Sequence, residues 1–174
     1  MSTIERYICN GNKYTFRDGT ITLPFFLNNL PKELEAEGDK LLLKSNFHVS
    51  LVCIGKIIEK YNISIPDFES LVIKDFCDFT KNNDVSLVKN TNELRIAKQD
   101  ERKSVILMVE VSNINRFFDY LNQKYKLNIE NQPTHITLYT LQPDMGIFIT
   151  DSKDLEYLTK IIENPINNLQ LGSN

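Results

Sequence analysis

Three strand-like runs, 85–89, 93–98 and 103–111, follow one another along the chain with no helical stretch between them. Parallel strands need a crossover of a dozen or more residues, usually a helix, so this order excludes a regularly alternating parallel α/β fold. The last run, Lys103 to Val111, is continuous enough to be a central strand. Residues 13–27 also read as strand, through Tyr14-Thr15-Phe16 and Ile21-Thr22-Leu23, with Asp18-Gly19 as a two-residue hairpin turn. Pro31 and the acidic residues after it suggest a short helical turn over 31–37, ended by Gly38-Asp39. Strands are expected at 47–52, 135–140 and 147–150.

Helical spacing occupies the intervals. Ile54, Ile57, Ile58 and Tyr61 fall on one face of 53–62, and Ser64-Ile65-Pro66-Asp67 opens a second helix with proline in its first turn. That helix carries a stripe of Phe68, Leu71, Val72, Asp75, Phe76 and Phe79. A third is expected over 113–125, capped by Ser112, and a fourth over 153–163, capped by Asp151 or Ser152. The order is that of an α+β chain. At 174 residues it fits one domain, 1–174, with a core that needs no disulfide or metal staple. The Asn-rich stretch 164–174 reads as a frayed terminus.

A net charge of −3 argues against a partner with a long run of phosphates, because proteins that grip duplex DNA show a basic face. A nucleotide or short RNA held by a few local donors remains compatible. Cys9, Cys53 and Cys77 are odd in number and share no close spacing. Cys53 and Cys77 lie among apolar residues and read as small buried hydrophobes, which suits a reducing compartment. Met1 to Arg6 has no signal-peptide core and no later stretch approaches a membrane span, so a soluble, cytoplasmic protein without a membrane partner is expected.

The chemistry lies in two tetrapeptides. His48-Val49-Ser50-Leu51 and His135-Ile136-Thr137-Leu138 are each histidine, β-branched aliphatic, hydroxyl residue, leucine, and the chain has no other histidine. Along a strand, side chains alternate between faces. His48 with Ser50, and His135 with Thr137, therefore share a polar face, with the aliphatic residues behind. Strict alternation adds Tyr139 to the polar face as a pocket residue, while Phe47 turns to the core and Phe148 lies near the cleft. Pro143-Asp144-Met145-Gly146 reads as a turn, and Lys98 to Lys103 as a solvated hairpin turn.

Two H-x-[S/T]-x strands about eighty to ninety residues apart resemble the signature of the 2H phosphoesterase superfamily, which includes 2′-5′ RNA ligase-like proteins and cyclic phosphodiesterases. The first segment is similar beyond the tetrapeptide, its apolar run ending in Gly55. The resemblance implies a bilobal fold: two pseudo-symmetric lobes of antiparallel sheet, flanked by helices, around a central cleft. It also implies cleavage of a 2′,3′-cyclic phosphate, a 2′-5′ linkage or a cyclic nucleotide. With an unperturbed pKa of about 6.5, either imidazole can act as base while the other acts as acid. Ser50 and Thr137 would donate to the phosphoryl oxygens. No cofactor or metal is called for, since two histidines without a carboxylate cluster make a poor metal site. The alternative is a non-catalytic nucleotide-binding module on the same fold.

Overall fold

Short β-branched and aromatic runs joined by two-residue turns make the first third of the chain a series of antiparallel strands. The computed structural model describes residues 4–9, 11–166 and 171–172. The strands β1 (Arg6–Cys9), β2 (Tyr14–Arg17) and β3 (Thr20–Leu27) form a meander. Asp18 and Gly19 form the expected two-residue hairpin turn, and both have positive φ, as a type I′ turn requires. The same turn recurs at Glu37-Gly38, and it corrects the expected helical turn over 31–37: Glu33–Ala36 is strand β4, paired with β5 (Asp39–Leu43).

Next come β6 (Phe47–Cys53), α1 (Ile54–Lys60), α2 (Phe68–Thr80), β7 (Leu87–Gln99), β8 (Arg102–Val111), α3 (Ile114–Tyr125), β9 (His135–Thr140), α4 (Ser152–Leu158), β10 (Thr159–Ile162) and β11 (Leu171–Gly172). The separate runs 85–89 and 93–98 merge into β7, whose register shifts between Asn90 and Leu94 around the positive φ of Asn92. Ser112 does not cap α3. Its hydroxyl instead donates to the Asp84 carbonyl and accepts from Ser86 N–H, leaving Asn113 at the cap position. Asp151 does cap α4, accepting from Asp154 N–H. That helix ends at Leu158, not 163, because Thr159–Ile162 is extended and pairs with β7. Residues 147–150 form no strand. Of the expected frayed end, Leu171–Gly172 pairs with β3, while 167–170 and 173–174 lie outside the described residues.

The class is α+β: an eleven-stranded, antiparallel open sheet with four helices among the described residues. The main path runs β1-β2-β3-β6-β9-β8-β7-β10, so β9 joins the N-terminal strands to the C-terminal ones. β5 and β6 pair with β9 in series along one edge, through Leu42↔Thr140, Leu43↔Tyr139 and then Val49↔Ile136. The pairing sum rises by three between them, so a three-residue bulge separates the two strands.

One face of this sheet carries the main core. Val49, Leu51, Val105, Leu107, Ile136 and Leu138 pack there with Val72 and Phe76 of α2 and Phe117, Phe118 and Leu121 of α3. Edge-on ring contacts run Tyr14–Phe76–Phe117. Asp75, in the apolar stripe of α2, is buried and accepts from Lys124, Tyr125 and Tyr120 of α3. On the other face a smaller cluster joins Ala97 and Ile106 to Ile147 and Ile149, so the segment leading into α4 covers β7 and β8 there.

The cysteine reading is corrected. Cys9 and Cys77 form a disulfide across 68 residues of sequence, Cα to Cα 5.5 Å, tying β1 to α2. This removes the basis in cysteine usage for a reducing compartment. Cys53 is free and buried, as expected. No helix among the described residues is long and apolar enough to cross a membrane.

Candidate active site

The two tetrapeptides lie side by side. β6 and β9 are antiparallel neighbours with Val49 opposite Ile136. One residue to either side, that register sets His48 opposite Thr137 and Ser50 opposite His135. Residues directly opposite in an antiparallel pair project to the same face. The four polar side chains therefore share one face, related by a local two-fold axis between Val49 and Ile136. Val49 and Ile136 themselves are fully buried in the core behind.

Each tetrapeptide ends in a β-bulge at its leucine. Ser50 pairs with Thr22 and Val52 with Ile21, leaving Leu51 unmatched on β3. Thr137 pairs with Ile106 and Tyr139 with Val105, leaving Leu138 unmatched on β8. A bulge inserts one residue into the alternation, so two consecutive side chains turn to the same face. In both strands the pair turns into the core: Leu51 with Val52, and Leu138 with Tyr139. This corrects the placement of Tyr139. It is fully buried in the core opposite Val105, its hydroxyl donating to the Pro31 carbonyl at 2.9 Å. Phe47 packs against the core as expected.

The polar strip lacks partners. Among the described residues neither the Ser50 hydroxyl nor the Thr137 hydroxyl makes a hydrogen bond. His135 Nδ1 is buried with no partner of good geometry, although the Pro133 carbonyl lies near enough to favour the ring's charged form. Gln132 holds the two strands at the end of their pairing, donating to the Ser50 carbonyl at 2.9 Å and accepting from Cys53 N–H at 3.0 Å.

Lys44 completes the strip. Leu41 and Leu43 of β5 pack on the core, so alternation turns Leu42 and Lys44 to the polar face. The Lys44 backbone N–H donates to the Leu138 carbonyl at 2.9 Å, which fixes the residue beside the second tetrapeptide. Its ammonium has no ion pair within the described residues. Burial pulls its pKa down, with Asp144 opposing and Arg17 assisting the shift.

Burial likewise pulls both histidines to about 4. For His48 the charges of Lys44, His135 and Arg17 add to the effect, and for His135 that of Lys44 does. Both imidazoles are therefore neutral near pH 7, in a locally positive site on a protein of net charge −3. The described residues hold no group of three or more His, Cys, Asp or Glu placed to bind a metal.

The sequence reading missed Lys44, Arg17 and Gln132. Gln132 stands three residues before the second histidine, and only the strand pairing reveals what it holds. The turn at 143–146 lies over the strip. Asp144 has positive φ, and a methyl group placed on Gly146 would meet Thr137 Oγ1 at 3.7 Å. Phe148 is reached two residues further on, part-exposed beneath the Lys56 ammonium. Cavities of about 360 Å³ beside Leu34 and Pro165, and about 370 Å³ beside Phe148, include neither histidine in their walls. The hairpin turn at 98–103 is tied down by ion pairs, Lys98 with Glu37 and Lys103 with Asp39.

Comparison of the chain with protein-family models, curated proteins and solved structures found no match in any of the three.

Proposed function

We propose that this protein is a metal-independent phosphodiesterase of the 2H type, acting on a small nucleotide or RNA end by paired-histidine acid–base catalysis. The observation that carries the reading is the convergence on one sheet face of two imidazoles, two hydroxyls and a lysine, the hydroxyls and the lysine having no partner among the described residues. Of these groups His135 Nδ1 is a buried atom without a hydrogen-bond partner, and such an atom in a native structure calls for a ligand or a chemical role. The part-exposed Ser50, Thr137 and Lys44 stay within a ligand's reach. The ligand that fits is an anion with several acceptor oxygens. Ser50 and Thr137 donate to its non-bridging oxygens and Lys44 offsets its charge.

One imidazole then removes the proton from the attacking hydroxyl while the other protonates the leaving oxygen; the local two-fold supports a role for them on opposite sides of the phosphorus. In the free site both rings are neutral. A phosphodiester monoanion adds negative charge beside them and favours protonation of one, so binding takes up a proton. The value of kcat/KM, which reports the free enzyme, is accordingly highest near pH 4, and the kcat profile is displaced to higher pH. A two-lobed arrangement belongs to the same reading. Its support is the strand order, with β3 flanking β6 on one side and β8 flanking β9 on the other.

The test is turnover of 2′,3′-cyclic nucleotides, 2′-5′ and 3′-5′ dinucleotides and cyclic dinucleotides in EDTA, with His48→Ala and His135→Ala beside wild type. Each variant should lose about 10²- to 10⁴-fold in kcat, the usual worth of one acid or base. A single variant with near-full activity contradicts the pair mechanism. Retained nucleotide affinity without turnover assigns the site to a binding module instead.

A further inference from the structure

Between α1 and the segment leading into α4 lies a cavity of about 370 Å³, a volume within the range of small-molecule sites. Its walls include Phe148, Lys56, Lys60, Gln99, Thr150 and Leu158. Ile147 and Ile149 turn down onto Ile106 and Ala97, so the residue between them must turn out: Phe148 is 38% exposed. The Lys56 ammonium stands 5.5 Å from the centroid of its ring.

The charges around this cavity are already matched. Lys56 pairs with Glu59 at 3.2 Å, and Lys60 is held by Asp151 and Asp154. Thr150 donates to Asp154 at 2.8 Å. One face of the Phe148 ring lies under the Lys56 ammonium, which leaves its other face to a ligand, and the side-chain amide of Gln99 makes no hydrogen bond among the described residues. A π face with one amide donor and acceptor suits a neutral planar heterocycle with a hydrogen-bonding edge, and a cavity with paired charges suits an anion poorly.

Its position supplies the rest. Gly146 adjoins Thr137 Oγ1, and Phe148 follows two residues later. Two residues span at most about 7 Å, so Phe148 lies within that distance, along the chain, of the residue that adjoins the strip proposed to hold a phosphoryl group. We propose that this cavity is a nucleobase subsite, in which the base stacks on Phe148 and its edge meets Gln99. The inference rests on the phosphodiesterase reading for its substrate, and it gives that substrate a base, which a simple phosphodiester lacks.

The experiment compares a 2′,3′-cyclic nucleotide with base-free methyl riboside 2′,3′-cyclic phosphate, using wild type, Phe148→Ala and Phe148→Tyr. Binding of uridine and adenosine to each is followed by NMR. Wild type should prefer the nucleotide by about tenfold or more in kcat/KM, the scale of one base stacked on an aromatic ring. Phe148→Ala should erase that preference and the nucleoside shifts, and Phe148→Tyr should keep both. A wild type without preference, or a Phe148→Ala that loses equally on both substrates, overturns the subsite. If wild type turns over neither compound, the catalytic reading fails. Nucleoside binding then decides alone: saturable shifts lost in Phe148→Ala uphold the subsite, and their absence in wild type overturns it.

Discussion

The two faces of the central sheet handle a buried charge in opposite ways. On the helical face, the Asp75 carboxylate is held by Lys124, Tyr125 and Tyr120, and its surroundings are aromatic and closed. On the other face, Lys44 makes no ion pair among the described residues, and its charge acts on both imidazoles. Alternate residues of the same strands build both. Satisfaction, more than burial, separates the face that holds the fold together from the face proposed to bind a ligand.

The comparison is broken most severely from the helical side. Phe117 is fully buried between Phe76 and Phe79, and Phe117→Ala should cost about 3–5 kcal/mol in urea denaturation. Activity per folded molecule should hold, because the ring touches nothing on the polar face. Loss of activity in fully folded variant would show that the two faces are coupled.

Acid separates them next. Each imidazole binds its proton at about 4 in the folded chain and at about 6.5 unfolded. Between those values the unfolded state holds more protons, so stability present above pH 6.5 is lost as pH falls towards 4, by ~3 kcal/mol per histidine. Denaturation midpoints across that range should fall for wild type, and His48→Gln or His135→Gln should each remove its share of the slope. A flat wild-type profile would mean the rings are not buried neutral.

The smallest effect sharpens the contrast. Lys44→Gln should weaken phosphate-containing ligands by about tenfold, near 1.4 kcal/mol, and should raise the pKa of both histidines, read from imidazole C2 proton shifts. No movement in either ring would place Lys44 outside the strip.

Much of this was legible in the sequence where a local rule decides. The Asp18-Gly19 hairpin needs two residues tolerant of positive φ, and it has them. That His48 shares a face with Ser50, and His135 with Thr137, follows from period-two alternation, while the register of β6 on β9 is what brings the two pairs together. Other features depend on pairing. Glu33-Leu34-Glu35 reads as the start of a helix until Glu37-Gly38 is seen to close a hairpin. Tyr139 belongs to the polar face until the bulge at Leu138 shifts it by one. Lys44 gains its role because β5 and β6 line β9 in series. Cys9 and Cys77 stand 68 residues apart, beyond what spacing alone can join.

The position of β9 also governs how the chain assembles. Its partners β6 and β8 belong to earlier stretches of the sequence, yet neither can complete its ladder until residues 135–140 have been synthesised. A nascent chain emerging from the ribosome therefore carries two unfinished sheet edges, and the strand that closes both arrives late. Contacts of such long sequence separation slow folding into the millisecond-to-second range and leave strand edges open to wrong partners meanwhile. The pairing that brings the two histidines together is thus a late event in building the protein.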